Sequence, residues 1–154
     1  MNLKSIIPAI LCILVGFFMS NFMFNQYEKE TTSKVSNEKN TVYFLQIGVY
    51  SSLESMKENL SNVETYIYEE IDNLFYAYVG IIKDTSNLEK VEEYFKDLEY
   101  VIYKKEKKVS SESFVEVLNQ YDLMLKETTD TKTIGIIMNQ VISKYEELVL
   151  NDQN

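Results

Sequence analysis

The hydrophobic pattern changes period several times along the chain, and each change predicts a different element. The run "IIPAILCILVGFFMSNFMF", Ile6 to Phe24, carries no charge. At the rise of an α-helix it nearly matches the apolar thickness of a bilayer, about 30 Å. It predicts a single transmembrane helix behind a short cytoplasmic tail over residues 1–25. Only Lys4 precedes it and no small-x-small cleavage site follows, so an uncleaved anchor is expected rather than a signal peptide. "NQYEKETTSKVSNEKN" is polar and aperiodic, and residues 26–40 are expected to be a flexible linker.

From Thr41 the period alternates between two and 3.6. "TVYFLQIGVY" reads as a strand. "SSLESMKENLSNV" places Leu53, Met56, Leu60 and Val63 on one helical face. "ETYIYEEI" and "NLFYAYVGIIK" are two strands joined by the turn pair Asp72-Asn73. "TSNLEKVEEYFKDL" is an amphipathic helix with Thr85 or Ser86 as its cap, and "EYVIYKKEKKV" is a closing strand. The order β-α-β-β-α-β predicts an α+β, ferredoxin-like layer over residues 41–109. In that layer a four-stranded antiparallel sheet has both helices on one face and nothing on the other. After Ser110, apolar stripes through Phe114, Leu118, Tyr121 and Leu125, then Ile134, Met138, Val141 and Tyr145, predict a C-terminal helical hairpin over residues 110–150. Neither stripe can be buried by its own helix, so the hairpin must pack on its partner helix, the sheet layer or another protein.

Strict alternation assigns the strand faces. Leu45, Ile47 and Val49 belong under the helices, and Phe44, Gln46, Gly48 and Tyr50 point the other way. In the third strand Phe75, Ala77, Val79 and Ile81 face inward and Tyr76, Tyr78 and Gly80 outward. Tyr66 and Tyr68 share one side of the second strand. The expected bare face thus gathers Tyr50, Tyr66, Tyr68, Tyr76 and Tyr78 around the amide of Gln46. Tyrosines also suit a half-wet sheet without any ligand, and the hairpin could equally cover them.

Charge then narrows the ligand. The chain has a formal net charge of −9, its 15 basic residues are all lysine, and it has no His or Trp. Residues 41–109 hold eight lysines against thirteen Asp and Glu. Phosphate neutralisation dominates nucleic-acid affinity, so a nucleic-acid partner is not expected. Without His the commonest general base and metal ligand are missing. Cys12, the single cysteine, sits inside the apolar run and allows no internal disulfide. No nucleophile–base pair or phosphate loop is visible, so neither an enzyme nor a cofactor is expected. Carbohydrate fits better: sugar C–H faces pack on aromatic rings, amides pair with hydroxyls, and a neutral or weakly charged glycan suffers little repulsion.

At the residue level "YFLQIGVYSSLESMKENL" resembles the opening of the SPOR (sporulation-related repeat) domain, through Gln46, Gly48, Tyr50, Ser51 and Ser52. "FYAYVGIIKDTSNLEKVEEYF" is similar to its second half through Val79 and Gly80, although Ile81 and Ile82 stand where a Pro-aromatic pair is usual. The resemblance implies a βαββαβ module that binds peptidoglycan glycan strands stripped of stem peptides, at division or sporulation septa. It implies sugar contacts from Gln46 and Ser51, with Tyr50, Tyr76 and Tyr78 forming the groove. It also implies a single-pass protein of the cell membrane whose C-terminal part lies outside the cytoplasm. The alternative is a degenerate module that now binds envelope proteins.

Overall fold

A computed structural model describes residues 40–151, and these belong to one compact unit. The expected anchor and all but the last residue of the expected linker lie outside the described residues. Among the described residues no helix is long and apolar enough to cross a membrane.

Strand β1 spans Thr41–Tyr50, and helix α1 spans Leu53–Asn59. Strands β2 (Ile67–Ile71) and β3 (Leu74–Ile82) follow. A 3₁₀ turn over Thr85–Asn87 leads into α2 (Leu88–Asp97), and β4 covers Tyr103–Lys108. The hairpin consists of α3 (Glu112–Glu127) and α4 (Thr131–Tyr145), ending in a π-helical turn, Glu146–Leu150. The fold is therefore α+β, with a four-stranded antiparallel sheet in the order β2-β3-β1-β4.

Local chemistry explains most boundaries. Ser52 caps α1 by accepting a 3.1 Å bond from the Ser55 N–H. Ser111 caps α3 and Asp130 caps α4 in the same way. Asp84, rather than Thr85 or Ser86, caps the turn before α2, through the Ser86 N–H at 2.9 Å. Asp72 and Asn73 both adopt positive φ, 53° and 60°, between the paired residues Ile71 and Leu74. Such two-residue turns match the twist of the flanking strands. Glu99 is also left-handed, and the N–H of Tyr100 reaches back 2.9 Å to the Phe95 carbonyl, closing α2 as a Schellman motif.

The core runs without a break from the sheet into the hairpin. Phe44, Leu45, Met56, Leu60, Ile81 and Ile82 share it with Phe114, Leu118, Leu125, Ile137, Met138 and Ile142, all almost fully buried. β2 pairs with β3 only as far as Tyr78, and α4 packs on β3. A Cβ on Gly80 would meet the Met138 Sδ at 2.7 Å, beside Leu45. Two turns further on, the Tyr145 ring sits edge-on to Phe44 at 5.2 Å. Leu45 and Phe44 face opposite sides of β1, so α4 touches both sides of the sheet. The expectation of one wholly bare face is thus corrected: Phe44 and Tyr78 are buried beneath the hairpin's end.

Candidate functional site

Directly paired residues in a sheet point to the same side, so the ladder decides which predicted site residues converge. β1 pairs with β4 as Val42–Lys107, Phe44–Lys105 and Gln46–Tyr103. On the other flank Gln46 pairs with Tyr78. Gln46 therefore lies between two tyrosines on one face, and Tyr76 joins them from two residues along β3. β1 and β3 then slip twice in register, between Leu45 and Gln46 and between Gln46 and Gly48. After the second slip Tyr50 stands opposite Phe75 and Gly48 opposite Ala77. A one-residue slip transfers every later side chain to the other face.

The predicted cluster is consequently divided. Gln46, Tyr76 and Tyr78 share one face. Tyr50 turns to the α1 and α2 side, where its ring folds back over Gly48, leaving only 2.5 Å between its hydroxyl and the place of a Gly48 Cβ. Its phenol pKa is raised, first by burial and then by the nearby Tyr100 and Tyr66. The Tyr100 hydroxyl in turn donates 3.3 Å to the Asn59 carbonyl at the end of α1. Tyr68 pairs with Ala77, packs edge-on to Phe75 at 6.0 Å and so belongs with Tyr50. Tyr66 precedes β2 instead of lying in it. Ser51 is exposed in the bend after β1, while Ser52 forms the cap.

The outward amide is also corrected. Gln46 is 7% exposed, and its Oε1 is buried with no hydrogen-bond partner among the described residues. An unmatched buried acceptor costs about 1–3 kcal/mol, so its presence asks for a reason. Tyr78 is 2% exposed and lies edge-on to Phe44 at 5.3 Å. Its hydroxyl donates 3.3 Å to Glu69 Oε2, and burial raises its pKa while Lys107 lowers it. Lys107 stretches across this face to pair with Glu69, with its Nζ 4.3 Å from the Tyr78 centroid and 4.8 Å from that of Phe44. Cation–π attraction and the ion pair act together there. Burial is the main cause of the raised Tyr145 pKa, followed by Glu69 and Tyr78.

The hairpin thus covers the Phe44 end of this face and leaves the other end bare. Tyr103 is 58% exposed and Val49 43%, and Tyr76 is half-buried. Ile71 and Leu74 extend the bare part to the β2–β3 turn, and both are exposed. Tyr103 was not among the predicted residues. Its alternation within "VIYKKEKK" is legible, but its position opposite Gln46 depends on a long-range register that no local pattern carries. Among the described residues no group of three or more His, Cys, Asp or Glu could hold a metal ion.

Compared with protein-family models, with curated proteins and with solved structures, the chain matches none. The SPOR resemblance therefore rests on the motif around Gln46 and on the order of elements.

Proposed function

We propose that residues 41–109 are a SPOR-like, ferredoxin-ordered layer, and that the protein is a non-enzymatic binder of peptidoglycan glycan strands. In this reading residues 6–24 hold it in the cell membrane as a single span with the C-terminal part outside, where it serves division or sporulation. One observation carries the proposal: a side-chain amide whose buried oxygen has no partner among the described residues stands between two tyrosines, at the margin between the covered and bare parts of the sheet face. A sugar hydroxyl admitted by a rotation of the exposed Tyr103 ring would satisfy the buried oxygen, and the rings of Tyr103 and Tyr76 offer flat apolar surfaces for C–H faces. Tyr78 supports the site from beneath. Tyr50, Tyr66 and Tyr68 face or border the other side and are left out of it. Ser51 lies past the register slip and has no assigned sugar contact.

Gln46→Met separates binding from folding. The thioether keeps the shape but removes the unmatched acceptor, so the fold is expected to gain about 1–2 kcal/mol in urea unfolding. Retention of the full chain, in detergent, on amidase-treated peptidoglycan is expected to fall about tenfold. Tyr103→Ala is expected to weaken retention similarly with stability unchanged, because the side chain is exposed. Full retention by both variants would remove the glycan site from this face.

A second reading, a degenerate module that binds an envelope protein, is favoured by the aliphatic character of Val49, Ile71 and Leu74 on the bare part. No retention by the wild-type chain on treated or untreated peptidoglycan, together with a crosslink to one protein lost in Ile71→Lys, would establish it in place of the first.

A further inference from the structure

The two edges of the sheet carry opposite charge. In the order β2-β3-β1-β4 the outer strands are β2 and β4, and among the described residues neither has a strand partner on its outer side. β4 carries four lysines and one glutamate, whereas β2 carries Glu69 and Glu70 and no basic residue. Exposed apolar side chains lie on both edges as well: Tyr103 on β4, and Tyr68 and Ile71, each 47% exposed, on β2. An open edge is a template for a further strand.

Charge decides which strand that edge can take. A second β4 would gather the lysines of both copies, and a second β2 their glutamates, so symmetrical edge pairing is repelled. A β4 that meets the β2 of another copy instead brings lysine to glutamate. All three ladders are antiparallel, so β2 and β4 run in opposite directions. The β4 of one copy can therefore continue the same antiparallel sheet into the β2 of the next, with the Gln46 faces on one side.

Among the registers that keep those faces aligned, one sets both glutamates against lysines. With Lys104 opposite Glu70, Lys105 falls opposite Glu69, Tyr103 opposite Ile71 and Glu106 opposite Tyr68. A shift of two residues one way sets Glu106 against Glu70, and a shift the other way leaves the glutamates facing Ile102 and Tyr103. Glu69 already binds its own Lys107. Glu70 is exposed and forms no ion pair among the described residues, and Lys104 is exposed beside the Tyr43 ring. We propose that copies of this chain associate head to tail, β4 of one against β2 of the next, into an open row. Such a contact is heterologous and does not close on itself. It covers Tyr103, Ile71 and Tyr68 along with the edges, and it stands whether or not the sheet face binds a glycan.

The test follows the mean mass of the full chain in detergent by light scattering as its concentration rises. For wild type the mass is expected to climb past two copies without levelling there, and to fall back as salt rises from about 50 to about 500 mM. Lys104→Glu and Glu70→Lys each set like charges across the contact and are expected to weaken association about three- to tenfold. The chain carrying both substitutions exchanges the pair and is expected to recover wild-type association. That recovery also excludes misfolding as the cause of the single losses. A mass that stays at one copy or levels at two, single variants that associate like wild type, or a double variant that fails to recover each overturns the proposal.

Discussion

Asp122→Ala is expected to destabilise the fold by about 3–5 kcal/mol in urea unfolding, more than any surface change in the sheet layer. Asp122 belongs to α3 and is buried, yet it binds almost entirely outside the hairpin. Its Oδ2 accepts from the backbone N–H of Lys83 at 2.8 Å and of Asp84 at 2.9 Å. The Asn87 side chain donates to its Oδ1 at 3.1 Å and to its carbonyl at 2.9 Å. One carboxylate thus organises the chain as it leaves β3 and enters α2. Alanine would leave two backbone donors without partners and take from the Asn87 amide one of its two bonds, and each loss involves a charge-assisted bond. Burial raises the Asp122 pKa above the ordinary carboxylate value, and the bonds from Asp84, Lys83 and Asn87 pull it back only in part. A raised folded pKa means that the stability linked to this group is complete below the unfolded pKa. It is lost as pH rises through the folded one. Asp122→Asn keeps an acceptor for the two backbone donors but cannot titrate. Its deficit against wild type is therefore expected to shrink between pH 3.5 and pH 7. A deficit that grows with pH would mean that the ionised form is the one the fold prefers.

The elements themselves were largely legible. Alternation and helical stripes gave the order of strands and helices, and Asp72-Asn73 marked a tight hairpin because both residues tolerate left-handed backbone. The face assignment holds in β1 as far as Gln46 and in β3 from Phe75 to Tyr78. Beyond the slips Gly80, expected outward, lies with Leu45, Ile81, expected inward, lies with Phe44, and Val49, expected under the helices, lies with Tyr76. The second slip, where β1 carries the extra residue Ile47 between Gln46 and Gly48, turns Tyr50 away from the amide it was expected to flank, and a register slip leaves no mark in a run such as "FLQIGVY". Tyr66 fell outside its strand because β-propensity extends past the point where pairing stops. The stripes of the hairpin showed that it needed a surface and could not name which one. That choice is made by shape: Met138 fits over Gly80, and Tyr145 completes a ring cluster with Phe44 and Phe114. The candidate site was half legible for the same reason. Gln46 stood out as an amide in an apolar strand, whereas Tyr103 joins it only through pairing with a distant part of the chain.

The shared core leads to the largest expected effect. A fragment covering residues 40–110, the sheet layer without the hairpin, is expected not to fold cooperatively, whereas residues 40–151 do. Removing the hairpin withdraws Phe114, Leu118, Leu125, Ile137, Met138 and Ile142, each almost fully buried, and uncovers Phe44 and Ile81. At about 1.5–3 kcal/mol for each large apolar side chain, the loss is as large as the 5–15 kcal/mol by which most domains are stable at all. Polar ties go as well. The Lys83 and Asp84 N–H groups lose Asp122, and the Lys90 ammonium loses the carbonyls of Leu125 and Thr128, at 2.5 and 2.6 Å. Amide chemical-shift dispersion and the sharpness of thermal unfolding measure the outcome. The short fragment should give collapsed dispersion and a broad transition, and a separate peptide of residues 111–151 should restore both. A short fragment that melts sharply with full dispersion would make the hairpin an accessory. The Phe44 end of the sheet face could then be uncovered without loss of the fold, and Tyr78 would return to the set of residues able to meet a glycan.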